Sequence, residues 1–403
     1  MRGVGLKGWE RDWINPVCIV LLVFMGVMSI RSAQLAIHGS QWRGQLIWFL
    51  LGAACYLLCA RWHYSVFLRY AHWIYLLGIF SLLMLWSPFG LRRYGALRWI
   101  GLFGLCVQPA EFAKFSTLIM LAGTLTGAKM GPIRESKSPL IQAFVIFAIP
   151  WFLIFLQPDL GSALILPPIL LAMLYVSDLS SRFFLVIFAL GILALSAVTW
   201  DLYRYRNFLD ANDLSPGEHA GLYQKHSWFP LKDYQRNRII GFIAPELVDP
   251  QGTGISWNLR QSLISIGSGG FWGKGYGNGM QAQLGYLPKA VSTNDFLFSV
   301  LGEERGFLGA SAVLLLLSTL VGNTFRIAGL AHDRFGRYLA VGIGVFFLMH
   351  MLINTGMTLG LMPITGVPLP FLSYGGSFLI VCCILQGIVQ SVYRRRRNVD
   401  REG

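Results

Sequence analysis

Apolar and polar residues are segregated along this chain in long blocks. Apolar runs occupy residues 14–36, 46–60, 66–86, 112–127, 140–157, 162–176, 183–200, 296–321, 338–360 and 370–393, with mostly short polar connections between them. A helix rises about 1.5 Å per residue, so roughly 17–25 apolar residues span a bilayer core. The pattern predicts an all-α, polytopic membrane protein, a bundle of about ten transmembrane helices. The runs at 46–60 and 162–176 are the short ones. A β-barrel is excluded, because its strands would alternate with period two.

One stretch breaks the rhythm. Residues 201–294 form by far the longest polar segment, expected to be one long loop. Its first half carries Tyr203, Tyr205, Phe208, Trp228, Phe229 and Tyr234, too many aromatics for simple disorder. Residues 259–271 are apolar enough to lie on, or dip into, a membrane surface.

Composition supports the membrane reading. Of 403 residues, 55% are hydrophobic and 13% charged, against about a quarter charged in a soluble domain. The net charge of +14 raises the question of nucleic acid. The basic residues form no single face, however; they cluster between the apolar runs, so no nucleic-acid partner is expected. With the N-terminus inside, the cytoplasmic connections hold Arg2, Lys7, Arg11, Arg61, Lys129, Arg134, Lys137, Arg182, Arg326, Arg334, Arg337 and the run Arg394 to Arg397. The opposite short loops hold only Arg43, Arg92, Arg93 and Arg98. Both termini are thus expected in the cytoplasm and 201–294 outside it. The chain reads as one membrane domain over 1–403, ending in a basic tail, 394–403, able to touch anionic membrane lipids. The first run is long enough to span and shows no convincing cleavage pattern for a signal peptide. Cys18, Cys55, Cys59, Cys106, Cys382 and Cys383 lie almost all in apolar segments without CxxC spacing, which fits small buried hydrophobes.

Candidate chemistry gathers on the non-cytoplasmic side. Asp295 stands where the long polar segment meets the apolar run from Phe296. A carboxylate there is costly to desolvate, which invites a functional reading, but an aspartate before an apolar run is also an ordinary helix cap. Arg98 and Trp99 are followed by Gln108, Pro109, Glu111 and Lys114; the last two, at i and i+3, share a helix face as an ion pair or as ligand contacts. Gln157-Pro158-Asp159-Leu160-Gly161 reads as turn chemistry or as a site. The glycine-rich stretch 267–277, with Gln281 beyond, resembles a dinucleotide loop, yet no βαβ unit surrounds it. Asn354, Ser373 and Ser377 flank a Pro- and Gly-rich break in apolar sequence, tolerated only against protein or a water-filled cavity.

Together these segments closely resemble the SEDS family (shape, elongation, division and sporulation), the RodA/FtsW polytopic proteins of bacterial wall synthesis. The match runs in order through Arg98-Trp99, 108–114, 157–161, 267–279, 295–309 and 354–377, and looks nearer RodA than FtsW. The resemblance implies a peptidoglycan glycosyltransferase of the bacterial cytoplasmic membrane, its site facing outward. It implies lipid II as substrate, a class B penicillin-binding protein as partner, and Asp295 as catalytic aspartate. Three positions depart from the family's pattern: Lys289, Asn294 and Arg305. An inverting transfer needs a base, here Asp295, and positive charge for the departing pyrophosphate, here Arg98 and Lys114. No dedicated metal cage is visible; a divalent ion could share that role. A lipid II flippase and a non-catalytic scaffold are the rival classes.

Overall fold

The computed structural model describes residues 11–396 apart from 94–95, 103–104, 134, 158, 213, 215–220, 228–230, 232, 245–248, 250–251, 253, 255 and 289–291. Arg2, Lys7, Arg134, Trp228, Phe229, Lys289 and Arg397 with the rest of the tail therefore lie outside the described residues.

Every apolar run has its helix. The elements are α1 (Ile14–Ala33), α2 (Gln41–Arg61), α3 (Ser65–Arg69), α4 (Ala71–Leu83), α5 (Pro109–Gly127), α6 (Lys137–Leu156), α7 (Leu160–Val176) and α8 (Ser181–Ala211). They continue with α9 (Asp233–Ile243), α10 (Trp257–Gly269), α11 (Met280–Gln283), α12 (Leu297–Gly329), α13 (Arg334–Thr358) and α14 (Gly376–Arg394). Seven of them, α1, α2, α6, α8, α12, α13 and α14, are long and apolar enough to cross a membrane. The helices over Ala71–Trp86 and Leu160–Val176 are shorter, and α5 carries Glu111 and Lys114 near its start.

Helix α13 is the hub, packing on α5, α7, α10, α12 and α14. The opposite case is α8, whose apolar stretch buries no residue and which packs chiefly on α9. Exposed Leu, Phe and Val all round it suit a helix bathed in lipid.

The structure differs from the sequence expectation in two places. The connection between α4 and α5 holds a three-stranded antiparallel sheet, β1 (Gly90–Arg93), β2 (Ala96–Leu102) and β3 (Leu105–Val107). Leu91 pairs with Trp99 and Ile100 with Val107, around a bulge between Leu91 and Arg92. Second, α8 continues unbroken through 201–211, so the first aromatics of the polar segment are helical. Tyr205 and Leu209 pack on Tyr223, with Phe208 against them. Buried Arg236 binds Asp201 at 2.8 Å and Asp233 at 3.0 Å, holding α9 to the end of α8.

Helix α10 has its polar side inward. Ser262 donates to the Thr358 carbonyl at 2.7 Å and meets Ser299 at 2.6 Å, while Leu263 and Ile264 are exposed. That is the reverse of a water-exposed helix and fits the expected membrane-surface segment.

Candidate active site

Asp295 is not a helix cap. The N-cap of α12 is Phe296, and no side-chain bond closes that end. Half-buried Asp295 sits in the turn before it, facing the irregular backbone between α13 and α14. Gly366, at φ 74°, lies so close that a Cβ there would stand 3.4 Å from Asp295 Oδ2. The positive φ favours glycine, and an added Cβ would only touch the carboxylate at van der Waals distance. Burial, helped by the nearby Asp159 charge, pushes the Asp295 carboxyl up from 3.8 to about 6, with Arg98 pulling the other way. A carboxylate tuned toward neutrality is a candidate base.

Arg98 and Asp159 reach the site from different elements. Arg98, on β2, places Nη1 3.8 Å from Asp159 Oδ1 and stays a quarter exposed. Asp159 caps α7, accepting from Ser162 N at 3.3 Å and Ser162 Oγ at 2.9 Å, and from Gln108 Nε2 at 3.3 Å. Turn chemistry and site chemistry thus coincide in one carboxylate. Neighbouring residues of a strand face opposite sides, so Trp99 does not share Arg98's position.

The floor is a lattice of hydrogen bonds. Asn354 Nδ2 donates to the carbonyls of Asp295 at 2.8 Å and Val367 at 2.7 Å. Ser373 Oγ donates to Asn294 O at 2.6 Å, and Tyr374 N to Thr293 O at 2.9 Å. Asn294 thus serves through its backbone. Ser377 accepts from Gln108 N at 3.4 Å, joining α14 to the start of α5. Gln45, not singled out in the sequence, is fully buried and donates to Ser373 O at 3.0 Å.

Glu111 and Lys114 are an ion pair at 3.0 Å, both buried. Lys114 also meets His350 Nε2 at 3.2 Å and lies over the Phe346 ring. Sequence reasoning missed His350. Its signal was available, an ionisable residue in the middle of an apolar run.

Gln281 belongs to a different cluster. Glu303, in α12, accepts from Lys274 Nζ at 2.6 Å, Met280 N at 2.9 Å and Gln281 N at 3.2 Å. Ser32 of α1 donates to neighbouring Glu304. The glycine-rich stretch thus packs on α12, Lys274 N and Gly275 N donating to the carbonyls of Glu303 and Glu304 at 3.0 Å, and the Glu303 carboxylate is held by Lys274 and by the backbone just beyond the stretch. Among the described residues, no group of three His, Cys, Asp or Glu gathers as a metal site.

Comparisons with known proteins agree with this architecture. The family model described as "Cell cycle protein", for FtsW, RodA and SpoVE, matches residues 12–398. The peptidoglycan glycosyltransferase RodA of Treponema pallidum is 30% identical, covering 98% of this chain and 99% of its own. The peptidoglycan glycosyltransferase MrdB of Escherichia coli K12 is 32% identical, covering 98% and 97%. A solved chain described under structural coordination of polymerization and crosslinking by a peptidoglycan synthase complex superposes with TM-score 0.74 at 26% identity, covering 97% and 99%.

Proposed function

We propose, from the premise that the chain belongs to the FtsW, RodA and SpoVE family, that it is a peptidoglycan glycosyltransferase and that Asp295 is its base. It is a membrane enzyme serving wall elongation and rod shape. Lipid II is the substrate, and the growing glycan strand is extended by one disaccharide in each cycle.

The observation that carries the reading is Asp295 itself, a half-buried carboxylate without a capping role, raised to about 6 and facing an irregular turn beside a partly exposed arginine. Transfer from an α-linked donor to a β-linked product inverts the anomeric carbon. The acceptor hydroxyl oxygen forms the new bond to that carbon while its proton passes to Asp295. The carbon–oxygen bond to pyrophosphate breaks, and the leaving group departs with the electron pair. Arg98 supplies positive charge for it, the guanidinium fork suiting phosphate oxygens. Lys114 is covered by protein and supports the site from behind. Asn354, Ser373 and Ser377 hold the walls, and Asp159 stands beside Arg98 as the further proposed contact. Glu111 lies buried with Lys114, Trp99 faces the other side of its strand, and Gln281 belongs to the Glu303 cluster, so these three are not contacts of the site.

The site faces outward, with both termini in the cytoplasm and 201–294 on the outer side. A class B penicillin-binding protein is the partner, consistent with the synthase complex whose chain this fold resembles. The test is purified chain, alone and with such a partner, given labelled lipid II. Polymer formation supports the enzyme; translocation of lipid II without polymer would favour a flippase, and neither activity a scaffold.

A further inference from the structure

We infer that His350 is a positioning residue for Asp295, clamping the segment 365–368 against the carboxylate. The inference rests on the proposed role of Asp295.

His350 is fully buried in the middle of α13. Its ring lies between Phe346, at 4.5 Å, and Phe378, at 4.7 Å, so it has little freedom to turn. Both ring nitrogens are engaged: Nε2 lies 3.2 Å from Lys114 Nζ, and Nδ1 lies 3.1 Å from the Pro368 carbonyl. A lysine ammonium only donates and a carbonyl only accepts, so one assignment satisfies both contacts. Nε2 carries the lone pair and Nδ1 carries the proton. The neutral ring then transmits a fixed orientation from the Glu111–Lys114 pair on α5 to a carbonyl in the turn.

That turn is gripped on three sides. His350 holds Pro368, Asn354 holds Val367 at 2.7 Å, and the start of α7 presses on Thr365, where a Cβ on Gly161 would stand 2.6 Å from the carbonyl. The element so held carries Gly366, which closes over Asp295 Oδ2. Proline removes the backbone donor at 368 and again at 370, so a side chain has to anchor this piece. Releasing the His350 bond frees the turn to move off the carboxylate and lets water in.

The charged groups facing Asp295 are Asp159 and Arg98; Glu111, Lys114 and His350 lie behind the turn. Loss of the clamp leaves the first two in place and removes desolvation. The acid limb of the pH–rate profile then moves down from about 6 toward the ordinary aspartate range. A merely structural histidine would change the amount of folded protein without moving that limb.

The experiment compares wild type, His350→Asn, His350→Gln and His350→Ala as purified full chains polymerising labelled lipid II across pH, with Asp295→Asn as control. Asn places its amide donor near the Nδ1 position and keeps the Pro368 bond; Gln reaches only toward Lys114. Ala and Gln are expected to lose on the order of 10- to 100-fold in kcat with KM for lipid II little changed, as misplacement of a reacting group does. Their acid limb should fall, and Asn should recover most of both. If Ala does not fold, the Asn and Gln pair decides. Equal behaviour of Asn and Gln, a reversed order, or an unmoved acid limb overturns the inference. An active Asp295→Asn enzyme instead defeats the catalytic reading on which it rests, and the two failures are distinguishable.

Discussion

Asn354 reaches from α13 to the backbone of Asp295, its Nδ2 donating to that carbonyl at 2.8 Å while also serving Val367 O at 2.7 Å. One side chain therefore fixes the two backbones that face each other across the site. Replacing it by leucine keeps the volume but strands both carbonyls. A loss of about 2–3 kcal/mol of stability is expected. It should be read as a lower thermal midpoint in detergent, with turnover falling further than the folded fraction does.

The central prediction concerns Asp295→Asn. Asparagine keeps the shape and caps helices nearly as well, but it cannot take a proton. Polymerisation should fall roughly 10²- to 10⁴-fold, with expression and partner binding unchanged. Near-normal polymer from this variant would sink the assignment.

The pH dependence has a definite sign. Asp295 is raised to about 6, and the base must be ionised to act, so turnover should rise with pH through that region. The Asp159 charge contributes to the raised value and Arg98 opposes it. Asp159→Asn should therefore lower the midpoint of the acid limb, and Arg98→Gln should raise it. Rate profiles of the two variants moving in the same direction would contradict this electrostatic picture.

Gly306 tests the packing of the glycine-rich stretch on α12. It breaks α12 at φ 64°, where an added Cβ would also collide with Gly273 N and stand 2.6 Å from Phe271 O. Gly306→Ala is expected to cost about 1–3 kcal/mol or more through strain at this angle. Thermal unfolding checks it, alongside Gly322→Ala, where a Cβ meets nothing within 4 Å.

Topology is open to direct labelling. Lys225 is exposed in the segment between α8 and α9. A cysteine there should react with an impermeant reagent from outside intact cells. Reaction only after permeabilisation would place Asp295 on the wrong side for an external substrate.

The bundle was legible in the sequence because hydrocarbon offers no partner to a free backbone group. An apolar run must close its hydrogen bonds within itself, so each run specified its own helix. The seam at Asp295 was equally visible, being a local change from polar to apolar. What Asp295 does there was not. Cap and base begin with the same residues, and only the fold showed that α12 starts after Phe296 and leaves the carboxylate without a capping bond. Arg98 and Asp159 meet from separate elements, through a small sheet that hydropathy does not register. Glu111 and Lys114 were readable as a pair from their i, i+3 spacing. Their burial, and the link through His350 to Pro368, required α5 and α13 to pack together. The glycine-rich loop shows the same limit. Its glycines left room for a close approach, but only the fold determined that the backbone of α12 at 302–305 is what approaches them. Helix formation depends on neighbours in sequence, whereas the site depends on which side chains the packed helices bring within hydrogen-bonding distance.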